Sequence, residues 1–304
     1  MNALLDILFY GLIAGALYAL VVFGYSLIYS ILGFVNFAHG EMLTIGAYLC
    51  WAFSHYFSGI PFVLSSLLAV IITGILSFCF GYFLIIPARS RSSSAALIVA
   101  IGLSIFIQNL IGLSFDSDAK PFTPINLIAT IVILGIEIRL YYLLLLGFTT
   151  FLLLFFWFVF FKRTRLGLEV RACSSHPQAS FIHGLRRRYV FGVVFFLSGL
   201  LAGVAGIAVG IDSNMLIPTM GFSFGIRAFI ASVIGGINNF KGAIAGAFLL
   251  GMVENLLIYV FIAVPFFKPL LPLASKDILA LMLLVVILLW RPTGLFNKAL
   301  EYRP

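Results

Sequence analysis

Long stretches without a charged residue constrain this chain more than any other feature of its sequence. Residues 7–31 and 141–161 contain no Asp, Glu, Lys or Arg. Each stretch is longer than the roughly 20 residues that an α-helix needs to cross a bilayer. Strands of an outer-membrane barrel would alternate apolar and polar positions, and these stretches do not alternate. The sequence therefore predicts membrane-spanning helices.

Composition places the whole chain in the same class. Of 304 residues, 63% are hydrophobic and 9% are charged, whereas a soluble domain has about 25% charged residues. The predicted spans are 7–31, 41–57, 62–87, 95–115, 141–161, 189–211, 222–237, 243–264 and 276–290. Three of them (41–57, 222–237 and 276–290) are short enough to be tilted, broken or re-entrant. We expect an all-α polytopic membrane protein with about eight to nine transmembrane or partly re-entrant helices, in one domain over residues 1–304.

The positions of the basic residues predict the orientation of the chain. Most of the 18 Lys and Arg residues lie at Arg89 and Arg91, in residues 162–188 and in residues 291–303. Basic segments stay on the cytoplasmic side, so we expect the N-terminus outside and the C-terminus in the cytoplasm of a bacterial inner membrane. Residues 1–6 lack the Lys or Arg of a signal peptide, which predicts a retained first helix. The net charge of +8 therefore reflects topology, and no nucleic acid is expected as a partner.

Three further features have structural interpretations. The three cysteines lack metal-ligand spacing, so we interpret them as small apolar side chains. Glycines four residues apart, such as Gly11 and Gly15, predict close helix packing, and a sliding interface during transport is the alternative. The apolar stretch 125–136 is too short to span and is expected to lie along the membrane surface or dip into it.

One polar cluster lies between two apolar stretches. Asn36, His39 and Glu41 bring an amide, an imidazole and a carboxylate within six residues. Ionisable groups in a bilayer cost several kcal/mol unless they are paired or hydrated. Two interpretations remain open: these side chains satisfy backbone groups at a helix break, or they line a water-filled translocation path. One His and one Glu do not make a metal site.

Other polar residues inside the apolar stretches are Gln108, Asn109, Arg227, Glu254 and Asn255. We include the first four as candidates for the translocation path. An Arg227–Glu254 pair across adjacent helices would neutralise two costly charges, either as a static clamp or as a pair that rearranges during transport.

The sequence contains no arrangement of catalytic residues and no phosphate-binding loop, so we predict no enzyme and no bound cofactor. ATP, if it drives transport, must be hydrolysed on another subunit.

The basic loop at residues 162–188 is predicted to contain a short helix. Pro177 suits the first position of a helix, and Gly184 suits its end. Such a helix fits insertion into the groove of a partner protein. The alternative is a helix on anionic lipid headgroups, held by residues 186–188.

At this loop the sequence resembles the coupling motif of ABC importers, in which Glu-Ala-Ala is followed by Gly. Gln178, Ala179 and Ser180 occupy the Glu-Ala-Ala positions, and Gly184 occupies the Gly position. Five other segments, in the same order, resemble permeases of branched-chain amino acid importers of the LivH type: residues 11–20, 36–41, 163–167, 235–243 and 291–296. Gln178 and Ser180 depart from the motif and remove the acid that would favour the helix dipole.

This resemblance implies a permease that works with a second, similar or identical permease in the lipid membrane. It also implies two ATP-binding subunits that hydrolyse ATP with Mg, and a periplasmic binding protein that delivers the substrate. The implied coupling helix comprises Pro177, Gln178, Ala179, Ser180, His183 and Gly184. Branched-chain or related amino acids are the expected substrates. Urea, short amides or sugars are alternatives within this architecture, and an ion-coupled secondary transporter is an alternative of another class.

Overall fold

The computed structural model describes residues 2–57, 59–123, 130–133, 136–161, 163–175, 186–237, 239–263, 276–291 and 294–296. Six helices in these ranges are long and apolar enough to cross a membrane by length and composition: Asp6–Leu32, Phe62–Arg91, Ser93–Phe115, Leu140–Phe158, Arg188–Ser213 and Phe240–Val260. A helix satisfies its own backbone hydrogen bonds, which is what hydrocarbon requires. The predicted all-α polytopic fold is confirmed.

Each of the nine predicted spans coincides with a helix. The helices in chain order are α1 (Asn2–Leu32), α2 (Ala38–Tyr56), α3 (Phe62–Phe80), α4 (Ile86–Arg91), α5 (Ser93–Phe115), α6 (Leu140–Phe155), α7 (Arg165–Ser175), α8 (Arg187–Ser213), α9 (Met220–Gly235), α10 (Phe240–Ala263) and α11 (Lys276–Trp290). A π-helical segment, Gly81–Ile85, joins α3 to α4, and another, Phe156–Phe161, extends α6. The third predicted span therefore comprises α3 and α4.

The three spans that the sequence marked as short differ from the six long helices. Helix α2 has 19 residues and carries His39, Glu41 and His55, which lower its hydropathy. The described apolar parts of the other two are Met220–Gly235 and Ala280–Trp290. At a rise of 1.5 Å per residue, a 16-residue helix spans only about 24 Å, less than the roughly 30 Å of the hydrocarbon core.

Helices α1 and α8 form the centre of the bundle. Of the membrane-spanning stretch of each helix, 67% of α1 and 72% of α8 is buried, against 17–33% in the other four long helices. Helix α1 packs against α8, α9 and α10. A Cβ added at Gly11 would lie 2.9 Å from the Met252 Cα of α10, and one at Gly15 would lie 2.7 Å from the Phe248 Cα. These glycines therefore allow the close helix packing that their spacing predicts.

Two short antiparallel ribbons lie outside the helices. Strand β1 (Lys120–Pro121) pairs with β4 (Met215–Leu216), and β2 (Thr130–Ile133) pairs with β3 (Ile136–Arg139). Neither ribbon was predicted. Within the stretch 125–136, the structure describes residues 130–133 as strand β2 and residue 136 as the start of β3. The position of this stretch along the membrane surface or dipping into it stays a prediction. Paired strands satisfy the backbone polar groups that a short irregular segment would leave open.

The two ends of the bundle differ in charge. Arg188 and Asp212 lie near opposite ends of α8, about 36 Å apart at 1.5 Å per residue. At the Arg188 end, the Arg89 Nε donates a hydrogen bond of 2.9 Å to the carbonyl of Leu32, and the Arg188 guanidinium lies 4.3 Å from the Tyr82 ring centroid. We call this the basic end. The end that contains Asp212 and the β1–β4 ribbon is the far end.

Candidate translocation path and coupling loop

The segment between α1 and α2 is a sharp break. Helix α1 stops at Gly33, whose positive φ of 71° is readily adopted by glycine. The Asn36 Oδ1 accepts a hydrogen bond of 3.2 Å from the Ala38 backbone N–H, and the Asn36 carbonyl accepts one from the His39 N–H. Asn36 therefore satisfies backbone donors at the first turn of α2, as the helix-break interpretation expects.

His39 is packed inside the bundle. Its side chain is buried, and its ring meets the Tyr25 ring edge-to-face, with the centroids 4.8 Å apart. The imidazole lies directly on α1 at Gly24, where an added Cβ would overlap the ring. His39 thus fills the space between α1 and α2 that the absent side chain of Gly24 leaves open.

Glu41 and Gln108 lie together, whereas Asn109 lies apart from them. The Glu41 Oε1 accepts hydrogen bonds from the Ser104 hydroxyl at 2.9 Å and from the Gln108 amide at 2.8 Å. Glu41 is fully buried, so these bonds tie α2 to α5 inside the bundle. Asn109 is on the exposed face of α5 and donates to the Ile105 carbonyl of its own helix.

Arg227 and Glu254 meet at a third residue, Tyr18. The Tyr18 hydroxyl donates a hydrogen bond of 2.6 Å to the Glu254 carboxylate and accepts one of 3.4 Å from the Arg227 guanidinium. Tyr18 and Glu254 are buried. The three side chains come from α1, α9 and α10, so the two charges predicted to pair are brought to one hydroxyl.

These three residues line a cavity of about 280 Å³, which we call the polar cavity. Its walls are Tyr10, Ile13, Ala14, Leu17, Tyr18, Tyr142, Asp212, Phe224, Arg227, Glu254, Asn255 and Ile258. The sequence analysis did not identify Tyr18, Tyr142 or Asp212 as site residues. Tyrosine is common in apolar helices, and Asp212 is close to a helix end, where a charge usually marks the membrane boundary.

The predicted coupling residues Pro177, Gln178, Ala179, Ser180, His183 and Gly184 lie outside the described residues. The chain before them forms α7, whose start is capped by Thr164: its Oγ1 accepts a hydrogen bond of 3.0 Å from the Gly167 N–H. Val170 and Cys173 of α7 are buried. Helix α7, which is the described part of the loop before residue 176, is therefore packed against the bundle at the basic end.

Two of the segments that carry the family resemblance meet at the basic end. The Leu295 N–H donates a hydrogen bond of 2.8 Å to the Ile234 carbonyl at the end of α9. The Asn239 amide, in the turn before α10, donates one of 3.0 Å to the Phe296 carbonyl. Residues 294–296 therefore dock on the turn between α9 and α10.

The fold and the polar cavity define the class of the molecule. Apolar helices surround a cavity whose lining carries charged side chains, and polar residues inside a membrane bundle mark a transport pathway. The chain is thus a multi-pass membrane transport protein.

The family is shown by sequence comparison. Residues 7–288 match the family described as "Branched-chain amino acid transport system / permease component", so the chain belongs to that family. BraD of Pseudomonas aeruginosa, a high-affinity branched-chain amino acid transport system permease protein, is 33% identical over 95% of this chain and 94% of its own length. LivH of Salmonella typhimurium, of the same description, is 29% identical over 96% of this chain and 94% of its own length. The resemblance to LivH-type permeases is confirmed.

A shorter likeness extends to sugar permeases. The D-allose transport system permease protein AlsC of Escherichia coli is 27% identical over 49% of this chain and 43% of its own length. The amino acid permeases match about twice as much of the chain at similar or higher identity.

Proposed function

We propose that this chain is the membrane-spanning permease subunit of an ATP-driven importer for branched-chain or related amino acids. One observation carries this proposal: the family match extends over residues 7–288, which is nearly the whole bundle. The polar cavity between α1, α9 and α10 gives such a permease a place for a polar solute within an apolar bundle.

The proposed importer contains further subunits. A second permease, identical or similar, lies beside this one in the lipid, and a periplasmic protein delivers the substrate. Two ATP-binding subunits hydrolyse ATP with Mg, because the sequence of this chain has no phosphate-binding loop. This chain binds no cofactor of its own and acts as a transport subunit.

The loop at residues 162–188 is the proposed contact with the ATP-binding subunits. Pro177, Gln178, Ala179, Ser180, His183 and Gly184 form the coupling helix in this proposal. The positions of α7 and Arg188 at the basic end support it, because the positive-inside rule puts that end in the cytoplasm of the bacterium. In this orientation the N-terminus is outside and the C-terminus inside.

Two alternative functions would require different features of the molecule. Urea, short amides or sugars would use the same ATP-driven architecture, and the partial likeness to AlsC is an argument for sugars. The candidate path residues Asn36, His39, Glu41, Gln108, Asn109, Arg227 and Glu254 do not form one continuous chain of acids, as the proton relay of an ion-coupled transporter would require.

Uptake by the reconstituted complex tests the function and the loop together. We expect vesicles that contain the permease, ATP-binding subunits and binding protein to take up leucine only with ATP. Gly184→Trp should reduce both uptake and substrate-stimulated ATP hydrolysis by at least about tenfold, because a bulky residue at a helix end blocks docking to a partner. A variant with residues 178–180 replaced by Gly should behave in the same way.

The matched control is Ser90→Trp, a bulky substitution at an exposed residue of α4 on the same side. It should assemble and retain uptake. Uptake that proceeds without the ATP-binding subunits and follows a proton or sodium gradient would contradict the proposal. Uptake of urea or a sugar, without uptake of branched-chain amino acids, would replace the proposed substrate class. The proposed ATP-driven importer would then remain unchanged.

A further inference from the structure

The lining of the polar cavity combines two kinds of side chain. Ile13 and Leu17 of α1 and Ile258 of α10 are aliphatic. Arg227, Glu254 and Asp212 are charged, with one cation and two carboxylates. Ligand pockets typically combine an apolar lining with a few convergent polar groups, which fix the orientation of the ligand.

The cation of this site is held by aromatic groups. The Arg227 guanidinium lies 5.3 Å from the Phe224 ring centroid and donates to the Tyr18 hydroxyl. Arg227 is partly accessible and lines the cavity. A guanidinium is the side chain best suited to bind a carboxylate with two parallel hydrogen bonds.

The carboxylates come from two other helices. Glu254 of α10 accepts the hydrogen bond of Tyr18, and Asp212, near the end of α8, accepts one from the Tyr142 hydroxyl. A carboxylate can accept from several donors at once, because its two oxygens offer about four lone-pair sites. Both acids can therefore accept hydrogen bonds from an ammonium group.

The cavity also lies where an incoming solute would reach it first. Asp212 and Tyr142 belong to the ends of α8 and α6 that lie away from Arg188. The exposed Tyr10 contacts Tyr142 edge-to-face, with ring centroids 5.9 Å apart. In the proposed orientation, this far end of the bundle faces the outside.

We infer that the polar cavity is a binding site for zwitterionic aliphatic α-amino acids on their way through the permease. Arg227 binds the carboxylate, Glu254 and Asp212 bind the ammonium group, and Ile13, Leu17 and Ile258 contact the side chain. The inference rests on the proposed function and adds to it a selective site in the permease itself. The lining carries charged groups of both signs, as a solute with one charge of each sign requires.

Protection of an introduced cysteine tests this site directly. Ile258→Cys, in a background without Cys50, Cys79 and Cys173, is labelled with a membrane-impermeant thiol reagent in proteoliposomes without ATP. The permease and ATP-binding subunits are present, but the binding protein is left out so that its selectivity plays no part. We expect leucine to slow labelling by about tenfold at roughly ten times its Kd.

Two leucine analogues test the carboxylate contact and the ammonium contact one at a time. Leucinamide lacks the carboxylate, and 4-methylpentanoate lacks the ammonium group. For the same protection, the concentration of each analogue should have to be at least about tenfold higher than that of leucine, which is the loss of affinity expected for one charge-assisted contact. Arg227→Gln in the Ile258→Cys background should weaken protection by leucine to a similar extent but not protection by leucinamide. Asp212→Asn should weaken protection by leucine while leaving that by 4-methylpentanoate unchanged.

The control position is Ser117→Cys, which is exposed beyond the end of α5 and does not line the cavity. Its labelling should not respond to leucine. Equal protection by leucine and both analogues, no protection by leucine, or no labelling at residue 258 would each overturn the inference.

Leucine uptake is measured on the same complex after the binding protein and ATP are added. If uptake proceeds without protection, only this inference fails, whereas absent uptake contradicts the proposed function.

Discussion

Glu41 and Glu254 are two buried carboxylates that the bundle accommodates in different ways. Glu41 accepts from Ser104 and Gln108 of α5, whereas Glu254 accepts from Tyr18 of α1. An ionisable group without partners in hydrocarbon costs several kcal/mol, so each set of donors lowers the cost of burying its acid. Each acid thereby joins two helices, α2 to α5 and α10 to α1.

Removing the Glu41 carboxylate should weaken the contact between α2 and α5. Glu41→Ala loses two interhelical hydrogen bonds and leaves Ser104 and Gln108 without this acceptor. We expect the free energy of unfolding to fall by about 1–2 kcal/mol, because such bonds average about 0.6 kcal/mol in a membrane. Glu41→Gln retains an accepting oxygen and should lose less than half as much. Denaturant unfolding of the purified permease in mixed micelles measures both values.

Asn109→Ala is the control for this measurement. Asn109 adjoins Gln108 but is exposed and donates its hydrogen bond to the Ile105 carbonyl of its own helix, so its loss should change the free energy of unfolding by less than about 0.5 kcal/mol. Equal effects of Glu41→Ala and Asn109→Ala would show that the buried hydrogen bonds do not hold α2 to α5.

At the level of single residues, the sequence identified the charged side chains and Gln108, but it missed the hydroxyl groups of Ser104 and Tyr18 that donate to the two acids. Glu41, Arg227 and Glu254 stand out because a charge within an apolar stretch is costly. Tyr18 does not stand out, since its ring suits an apolar helix, and it is 236 residues away from Glu254 along the chain. Only the packing of α1 against α10 reveals that the Tyr18 hydroxyl donates a hydrogen bond to Glu254.

Helices α2 and α9 meet backbone to backbone. A Cβ added at Gly40 would overlap the Gly221 carbonyl and lie 3.1 Å from the Gly225 Cα. The Gly221 N–H also donates a hydrogen bond of 2.9 Å to the Thr44 hydroxyl. The glycines let the short helix α9 lie directly on the start of α2, so the broken segment before α2 and the short helix form one unit.

A methyl group at this contact should separate the two helices. Gly40→Ala forces backbone movement, and we expect it to lower the free energy of unfolding by about 1–3 kcal/mol, the usual cost of overpacking. Gly102→Ala in α5 is the matched control, because a Cβ there meets no atom within 4 Å and alanine favours a helix. Thermal unfolding of both variants in detergent measures the difference. A stable Gly40→Ala would mean that α2 and α9 do not pack this closely.

At the scale of elements, the helices were predictable and the ribbons were not. In hydrocarbon a backbone segment must form its own hydrogen bonds, so apolar length alone predicts the helices. The hairpin of β2 and β3 has a weaker signal. Residues 136–139, Ile-Glu-Ile-Arg, alternate apolar and charged positions as a strand does, but four residues are too few to outweigh the apolar stretch before them. The β1–β4 pair joins residues about 95 positions apart, which no local pattern reveals.

The whole molecule is organised around its two ends. At the basic end, Arg89 caps the C-terminus of α1 and residues 294–296 dock on the turn after α9. At the far end, β1 pairs with β4 and the polar cavity lies near Asp212 and Tyr142. Contacts between distant segments therefore hold each end together, while the helices between them present apolar side chains to lipid. This arrangement suits a permease that receives solute at one end and couples to partners at the other.

The orientation of the chain in the membrane is a prediction about the whole molecule. The positive-inside rule puts Arg89, Arg188 and Arg291 in the cytoplasm, so Ser117, at the far end, should be outside and Ser90, at the basic end, inside. In right-side-out vesicles, a membrane-impermeant thiol reagent should label Ser117→Cys at once and Ser90→Cys only after permeabilisation. Both residues are exposed, so the two cysteines differ only in the side they face. The reverse pattern would place the polar cavity toward the cytoplasm, and the chain would then be oriented to export a solute bound there.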